Sequence, residues 1–130
     1  MKTGSFYIFL LIISIAGCRE KESSEKFSLN AEQFEKGISE NSEKVILDVR
    51  TPDEFNEGHI RNAVLANFNG NDFKDQIDKL DKNIPVYVYC ASGVRSDKAA
   101  TMMRANGFEK VYVLAEGLNE WRTANKEIVK

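Results

Sequence analysis

Short apolar runs alternate along the chain with longer segments in which apolar residues recur every three or four positions. Continuous runs rich in β-branched and aromatic residues are typical of strands buried on both faces of a sheet. The runs that predict strands lie at residues 27–29, 45–47, 63–66, 85–89 and 111–114. The first and third of these are weaker signals than the other three.

The segments between these runs predict helices. Asn30 and Thr51 are residue types that cap helix N-termini, and Pro52 suits the first helical position. Two predicted helices begin after Asn30 and Thr51. Three more cover residues 69–80, 96–106 and 118–124. Strands alternating with helices predict an α/β fold, a small parallel sheet of about five strands flanked by helices on both faces. In such sheets ligands bind beyond the carboxyl ends of the strands.

The N-terminal segment does not belong to this pattern. Lys2 is followed by an almost wholly apolar stretch, and the small residues Ala16 and Gly17 come directly before Cys18. This order is typical of a secretory signal. The apolar stretch from residue 6 to residue 17 holds 12 residues, well short of the roughly 20 that a membrane-spanning helix needs. We therefore predict a signal peptide over residues 1–17.

Residues 15–18 (Ile-Ala-Gly-Cys) resemble the lipobox of bacterial lipoproteins, although Ile15 stands where Leu is usual. The resemblance implies that Cys18 is lipidated and becomes the mature N-terminus; an uncleaved anchor and plain secretion are the alternatives. Residues 18–26 are polar and charged, which predicts a tether. Residues 27–130 then form a single domain. We expect it to be lipid-anchored to a membrane outside the cytoplasm, on the periplasmic side or at the cell surface.

Composition narrows the possible partners and cofactors. The chain has 18 basic and 20 acidic residues, a net charge of −2, which gives no reason to expect a nucleic-acid partner. His59 is the only histidine, so neither a histidine-rich metal site nor a Ser-His-Asp triad is available. We expect no metal and no cofactor. A structural disulfide between Cys18 and Cys90 is disfavoured, because each cysteine has a local explanation.

Cys90 ends a strong strand, and a short loop separates it from a predicted helix. A helix N-terminus presents unpaired N–H groups and the positive end of a dipole, and both lower the pKa of a nearby thiol. Gly93 allows the backbone to curl so that successive amides converge on one anion. Arg95 adds a fixed positive charge. We therefore predict that Cys90 is a thiolate nucleophile in a ring of backbone amides.

Three motifs resemble those of a known family. The loop at residues 90–96 (Cys-Ala-Ser-Gly-Val-Arg-Ser) resembles the active-site loop of single-domain rhodaneses, sulfurtransferases whose cysteine carries a persulfide. Residues 47–55 and 58–63 are similar to the first signature of that family, and residues 113–121 are similar to its closing one. The motifs occur in the same order as in the family.

The resemblance implies a sulfurtransferase with a rhodanese-like fold. Cys90 would take a sulfane sulfur from a small donor such as thiosulfate or a persulfide and pass it to a thiol or cyanide-like acceptor. Arg95 would be the charged partner of the catalytic cysteine. The remaining loop residues would bind the substrate mainly through backbone amides: Ala91, Ser92, Gly93, Val94 and Ser96. The side chains of Ala91, Ser92 and Val94 are uncharged, so the loop itself offers little selectivity for a dianionic donor such as thiosulfate.

Two other functions fit parts of the pattern. Cysteine phosphatases and arsenate reductases have a similar loop, but they place five residues between the cysteine and the arginine, where this chain has four. A rhodanese-like domain can also serve as a non-catalytic sulfur carrier or protein-interaction module. The presence of Cys90 favours catalysis over that alternative.

Other side chains have structural interpretations. Asp48 and Arg50 are predicted to form an ion pair that holds the loops together, and Glu54 to pair with Arg50 or His59. His59 itself is interpreted as structural, within the turn that follows residue 58. Residues predicted to pack in the core are Met102, Met103 and Trp121.

The lipid anchor is testable by fractionation. Cys18→Ala removes the predicted attachment site, so the protein should move from the membrane fraction of expressing cells to the soluble fraction. Immunoblots of the two fractions from wild type and variant measure the change. Retention of the variant in the membrane fraction would show that the apolar segment before residue 18 is the anchor instead.

Overall fold

A computed structural model of the chain describes residues 27–130, and their five strands run parallel in one sheet. The strands are β1 (Ser28–Leu29), β2 (Val45–Asp48), β3 (Val64–Leu65), β4 (Val86–Tyr89) and β5 (Val111–Leu114). Their order across the sheet is β1-β5-β4-β2-β3, which places β4 at the centre. The predicted parallel sheet is confirmed. The predicted signal peptide, Cys18 and the tether lie outside the described residues.

Five helices follow the strands within the described part of the chain. They are α1 (Ala31–Glu40), α2 (Pro52–Glu57), α3 (Phe73–Asp78), α4 (Val94–Ala105) and α5 (Gly117–Thr123). Among residues 27–130, none of these helices is long and apolar enough to cross a membrane. The predicted caps are present, because the Asn30 and Thr51 side chains accept hydrogen bonds from the backbone N–H groups of the third residue in their helices.

Three helices begin at residues other than those predicted, and α5 differs by only one residue. α3 begins at Phe73 rather than at residue 69, because Asn67 closes a turn before it. The side chain of Asn67 accepts a hydrogen bond from the N–H of Asn69 at 3.1 Å, and its carbonyl accepts one from the N–H of Gly70 at 2.9 Å. α4 begins at Val94, two residues earlier than predicted, and this difference affects the candidate site.

The side chains of β4 and of Cys90, which follows it, show how the two faces of the sheet are divided. Val86, Val88 and Cys90 belong to a buried cluster that includes residues of α3 and α4. Tyr87 and Tyr89 belong to a second cluster that includes residues of α1 and α5. Alternate side chains of a strand point to opposite faces, so helices cover both faces, as predicted. The sulfur of Cys90 therefore lies on the α3–α4 face.

The core prediction is confirmed for two of three side chains. Trp121 is 3% exposed, and its indole N–H donates to the carbonyl of Glu127 at 2.9 Å. Met103 is fully buried, but the prediction for Met102 is wrong, since 37% of that residue is exposed. Successive side chains of a helix point about 100° apart, so Met102 projects away from the sheet that Met103 packs against.

A buried ion pair between Asp48 and Arg50 ties β2 to the segment after α2. Both residues are almost inaccessible, at 0% and 3% exposed. The guanidinium of Arg50 donates to the Asp48 carboxylate at 2.7 Å and, through the same nitrogen, to the carbonyl of Gly58 at 2.7 Å. On the neighbouring strand, the Tyr89 hydroxyl accepts a hydrogen bond from the N–H of Ile60 at 3.0 Å. The predicted ion pair is confirmed, and it fixes the connection that follows α2.

Removing half of this pair should destabilise the protein strongly. Arg50→Ala leaves a buried carboxylate without its partner, so we expect the free energy of unfolding to fall by about 3–5 kcal/mol. Arg61→Ala is the matched control, because Arg61 pairs with Glu127 at 2.6 Å on the surface, with both side chains more than half exposed. Exposed pairs contribute little to stability, so the control should lose much less. Urea denaturation measures both losses, and equal losses would contradict the prediction.

Candidate active site

Cys90 follows β4 directly and lies at the carboxyl edge of the sheet, where the residue is 1% exposed. The N–H of Gly93 donates to its Sγ at 3.1 Å. The hydroxyl of Ser96 lies 3.3 Å from the same sulfur and 3.1 Å from the carbonyl of Gly93. The chain therefore curls around the sulfur immediately after the strand ends.

Gly93 makes this turn possible. Its φ of +98° lies in the left-handed region, and a Cβ at this position would come within 2.0 Å of the carbonyl oxygen of Ala115. Gly93 is also the N-cap of α4, whose first helical hydrogen bond runs from the N–H of Asp97 to the carbonyl of Gly93 at 3.0 Å. The N–H groups of residues 94–96 thus lie in the first helical turn, without partners inside the helix. The ring of amides around the Cys90 sulfur therefore includes N–H groups from the first turn of α4.

The carbonyl groups of the loop are held by the N-terminus of α5. The N–H of Leu118 donates to the carbonyl of Cys90 at 2.8 Å, and the N–H of Asn119 donates to the carbonyl of Ala91 at 3.1 Å. In a trans peptide the N–H points away from the C=O, so the N–H that follows the Ala91 carbonyl, that of Ser92, is directed to the Cys90 sulfur. Gly117, with φ +67°, permits the close approach, because a Cβ there would lie 2.5 Å from the Ala91 oxygen.

The pKa of the Cys90 thiol is lowered from its ordinary value. Burial alone raises it, because burial disfavours the thiolate. The Ser96 hydroxyl and the backbone N–H groups of Ser96, Ser92 and Gly93 together outweigh that effect by hydrogen bonding to the sulfur. When Cys90 ionises, the Ser96 hydroxyl donates to the sulfur in place of the Gly93 carbonyl. The site therefore stabilises the Cys90 thiolate with a hydroxyl group and backbone N–H dipoles.

Arg95 forms a two-pronged ion pair with Glu54. Its Nη1 and Nη2 donate to the two carboxylate oxygens at 2.8 and 2.9 Å. Hydrogen bonding from Arg95 is the largest cause that lowers the pKa of Glu54, to about 2. The pKa of Arg95 is raised, first by Glu54 and to a smaller extent by the negative charge of Cys90. The prediction that Glu54 pairs with Arg50 or His59 is wrong, because Arg50 is turned inward to Asp48 and the first turns of α2 and α4 meet.

The other predicted loop residues, Ala91, Ser92 and Val94, are more accessible than Cys90 and form the outer side of the amide ring. Val94 is 60% exposed, Ser92 is also exposed, and Ala91 is half-buried. His59 has a different environment: its Nδ1 lies 3.0 Å from the carbonyl of Phe55, and its ring stacks on that side chain at 3.8 Å. These contacts agree with the structural interpretation of His59.

Two residues that support the loop from other elements were missed by the sequence reasoning. Glu54 has a sufficient local explanation as the third residue of α2, where it completes a capping box with Thr51. No sequence signal links it to Arg95, 41 positions further on. Gly117 was visible in the closing motif, but its role appears only when α5 is placed against the loop.

Comparison with known proteins agrees with this geometry. The family description "Rhodanese-like domain" matches residues 30–124. A thiosulfate sulfurtransferase, GlpE, of Coxiella burnetii is 37% identical over 78 residues, which cover 60% of this chain and 71% of that protein. A putative sulfur carrier protein, YrkF, of Bacillus subtilis is 30% identical over 105 residues, 78% of this chain and 56% of that protein. The crystal structure of a rhodanese-like domain protein from Staphylococcus aureus matches with a TM-score of 0.65 and 31% identity, over 72% of this chain and 89% of that one.

The role of Ser96 in lowering the pKa of Cys90 is testable by alkylation. The rate of reaction with iodoacetamide follows the thiolate fraction, so it falls as the pH drops through the pKa of Cys90. Ser96→Ala removes a hydrogen bond to the thiolate and should move the midpoint of this profile to higher pH by about one unit.

Thr101→Ala is the matched control for this prediction. It also deletes a hydroxyl from α4, but Thr101 is exposed and donates to the carbonyl of Asp97 at 3.0 Å. We expect its profile to coincide with that of wild type. A midpoint that stays in place in Ser96→Ala would contradict the assigned role of the hydroxyl.

Proposed function

The chain belongs to the rhodanese-like domain family, and on that premise we propose that it is a sulfurtransferase that carries sulfur as a persulfide on Cys90. The observation on which this rests is the buried Cys90 sulfur, which accepts a hydrogen bond from the N–H of Gly93 at 3.1 Å and lies 3.3 Å from the hydroxyl of Ser96. A nucleophilic sulfur held in this way is suited to accept a second sulfur atom.

The proposed first step loads the enzyme. The Cys90 thiolate forms a bond to the outer sulfur of a donor such as thiosulfate or a persulfide. The sulfur–sulfur bond within the donor breaks, and its electron pair leaves with sulfite in the first case or with a thiolate in the second. The product is a Cys90 persulfide, whose outer sulfur extends by about 2.05 Å from the original thiol.

The proposed second step transfers the outer sulfur from the Cys90 persulfide to an acceptor. A thiol or cyanide attacks the outer sulfur of the persulfide, and the pair of the broken bond returns to Cys90 as a thiolate. Cyanide becomes thiocyanate, whereas a thiol becomes a persulfide and releases its proton. The amides of the loop and the Ser96 hydroxyl stabilise the negative charge in both states, and Arg95 borders the ring.

The alternatives receive less support from the same residues. A sulfur carrier with little turnover would use the same persulfide, and the relative from Bacillus subtilis is named a putative sulfur carrier. A phosphatase or arsenate reductase needs a wider ring for a tetrahedral oxyanion. The four residues between Cys90 and Arg95 and the family membership favour sulfur over that chemistry.

We also propose that the domain works outside the cytoplasm, held to a membrane by lipid on Cys18. The support for this is the sequence of the N-terminal segment, in which a short apolar stretch ends in Ile-Ala-Gly-Cys. The polar residues 19–26 would separate the lipid from the folded domain.

Mass spectrometry tests the proposed reaction. Wild-type protein treated with thiosulfate or glutathione persulfide should gain one sulfur atom at Cys90, lose it again with cyanide, and release thiocyanate. Cys90→Ser should show neither the gain nor the thiocyanate, because its hydroxyl is a far weaker nucleophile than a thiolate. Absence of the adduct in wild type would overturn the proposal. An aryl phosphate tests the phosphatase alternative, and we expect no turnover of it.

A further inference from the structure

The charge of Arg95 is cancelled by a carboxylate that is fixed independently of it. Glu54 meets Arg95 through two hydrogen bonds of 2.8 and 2.9 Å. The same carboxylate accepts hydrogen bonds from the hydroxyl of Thr51 at 3.1 Å and from its N–H at 3.4 Å. The side chains of the pair are only 24% and 32% exposed, so water screens their interaction less than on an open surface. A substrate at the ring therefore meets an ion pair rather than a free guanidinium.

The two hollows that flank the loop add further negative charge. One is lined in part by Ser92, Val94, Asp97 and Lys98. The other is lined by Ser92, Glu116, Asn119, Glu120 and Thr123. Together these linings contribute three carboxylates and one ammonium group. Among the described residues, those that line these two hollows therefore place a net negative charge beside the loop.

This electrostatic arrangement distinguishes the two classes of donor. Thiosulfate brings two negative charges next to the Cys90 thiolate, and both remain on the sulfite that leaves. A persulfide of a small zwitterionic thiol brings at most one negative charge, on its outer sulfur, and leaves as a thiolate with one charge. Uncompensated charges of like sign repel strongly where water is partly excluded. The pairing of Arg95 with Glu54 and the carboxylates beside the loop therefore disfavour the dianion.

We propose that Glu54 is a specificity-determining residue, which by neutralising Arg95 makes the site prefer a small-thiol persulfide over thiosulfate as sulfur donor. The inference rests on the proposed function. Glu54 does not touch the reacting sulfur, so it acts through Arg95 as a positioning and charge-balancing residue. The donor class that it selects carries its sulfane sulfur on an uncharged or zwitterionic body.

Glu54→Gln tests this directly, because glutamine keeps an oxygen that can accept the capping hydrogen bonds while the charge is lost. We expect kcat/KM for thiosulfate to rise by about tenfold relative to kcat/KM for cysteine persulfide, whose body is zwitterionic, as the unpaired Arg95 attracts the dianion. The alkylation midpoint of Cys90 should also move to lower pH, since a free cation favours the thiolate. A purely structural role for Glu54 would move neither the donor ratio nor the midpoint in these directions.

Asp53→Asn is the matched control. It removes the same charge from the preceding position of α2, where the side chain is exposed and has no ion-pair contact with Arg95. The donor ratio of this variant should equal that of wild type. If Asp53→Asn changes the ratio as much as Glu54→Gln, general surface charge and not the Glu54–Arg95 pair sets the preference, and the inference is wrong.

Salt dependence of the unmodified protein gives a measurement that needs no variant. Screening weakens the repulsion between the carboxylates beside the loop and a dianion, so kcat/KM for thiosulfate should rise with ionic strength more steeply than that for cysteine persulfide. An equal or falling response would overturn the inference, as would an unchanged or lowered donor ratio in Glu54→Gln. If neither donor loads Cys90 in wild type, the proposed function fails, and the two failures are distinguished by the mass of the protein.

Discussion

The site depends on where the carbonyl groups of the loop after β4 are held. The N-terminal amides of α5 donate hydrogen bonds to the carbonyls of Cys90 and Ala91, and planarity of the peptide then turns the N–H of Ser92 toward the sulfur. Gly93 and Gly117 permit this, because a Cβ at either position would overlap backbone of the neighbouring segment. The ring is therefore a joint product of the loop, α4 and α5.

The site stabilises an anion without an unpaired cationic side chain. Backbone dipoles and one hydroxyl lower the pKa of Cys90 against the opposing effect of burial. The nearby Arg95 forms an ion pair with Glu54, and the buried Asp48 and Arg50 form an ion pair with each other. Such a balance suits a reaction in which charge moves between sulfur atoms and the net charge at the cysteine stays the same.

The sequence predicted the strands, the sheet and the position of Cys90 at a strand end, because buried parallel strands are continuous apolar runs and the loop residues are adjacent in the chain. Failures occurred where the deciding contact is distant or conformational. α4 begins at Val94 because Gly93 adopts a positive φ, which residue identity alone does not show. Glu54 satisfied a capping box and thus concealed its pairing with Arg95. Met102 and Met103 are adjacent, and only the orientation of α4 decides which one is buried.

The depth of Cys90 also acts as a filter on substrate shape. A residue with 1% of its surface accessible is reached most easily by a sulfur atom that has a substituent on one side only, as in thiosulfate or a persulfide. Both sulfur atoms of an ordinary disulfide carry substituents, so their bulk meets the rim of the ring first. If the domain lies outside the cytoplasm as proposed, in a compartment where disulfides persist, this geometry would protect the thiolate from mixed disulfides and leave it available to the proposed donors.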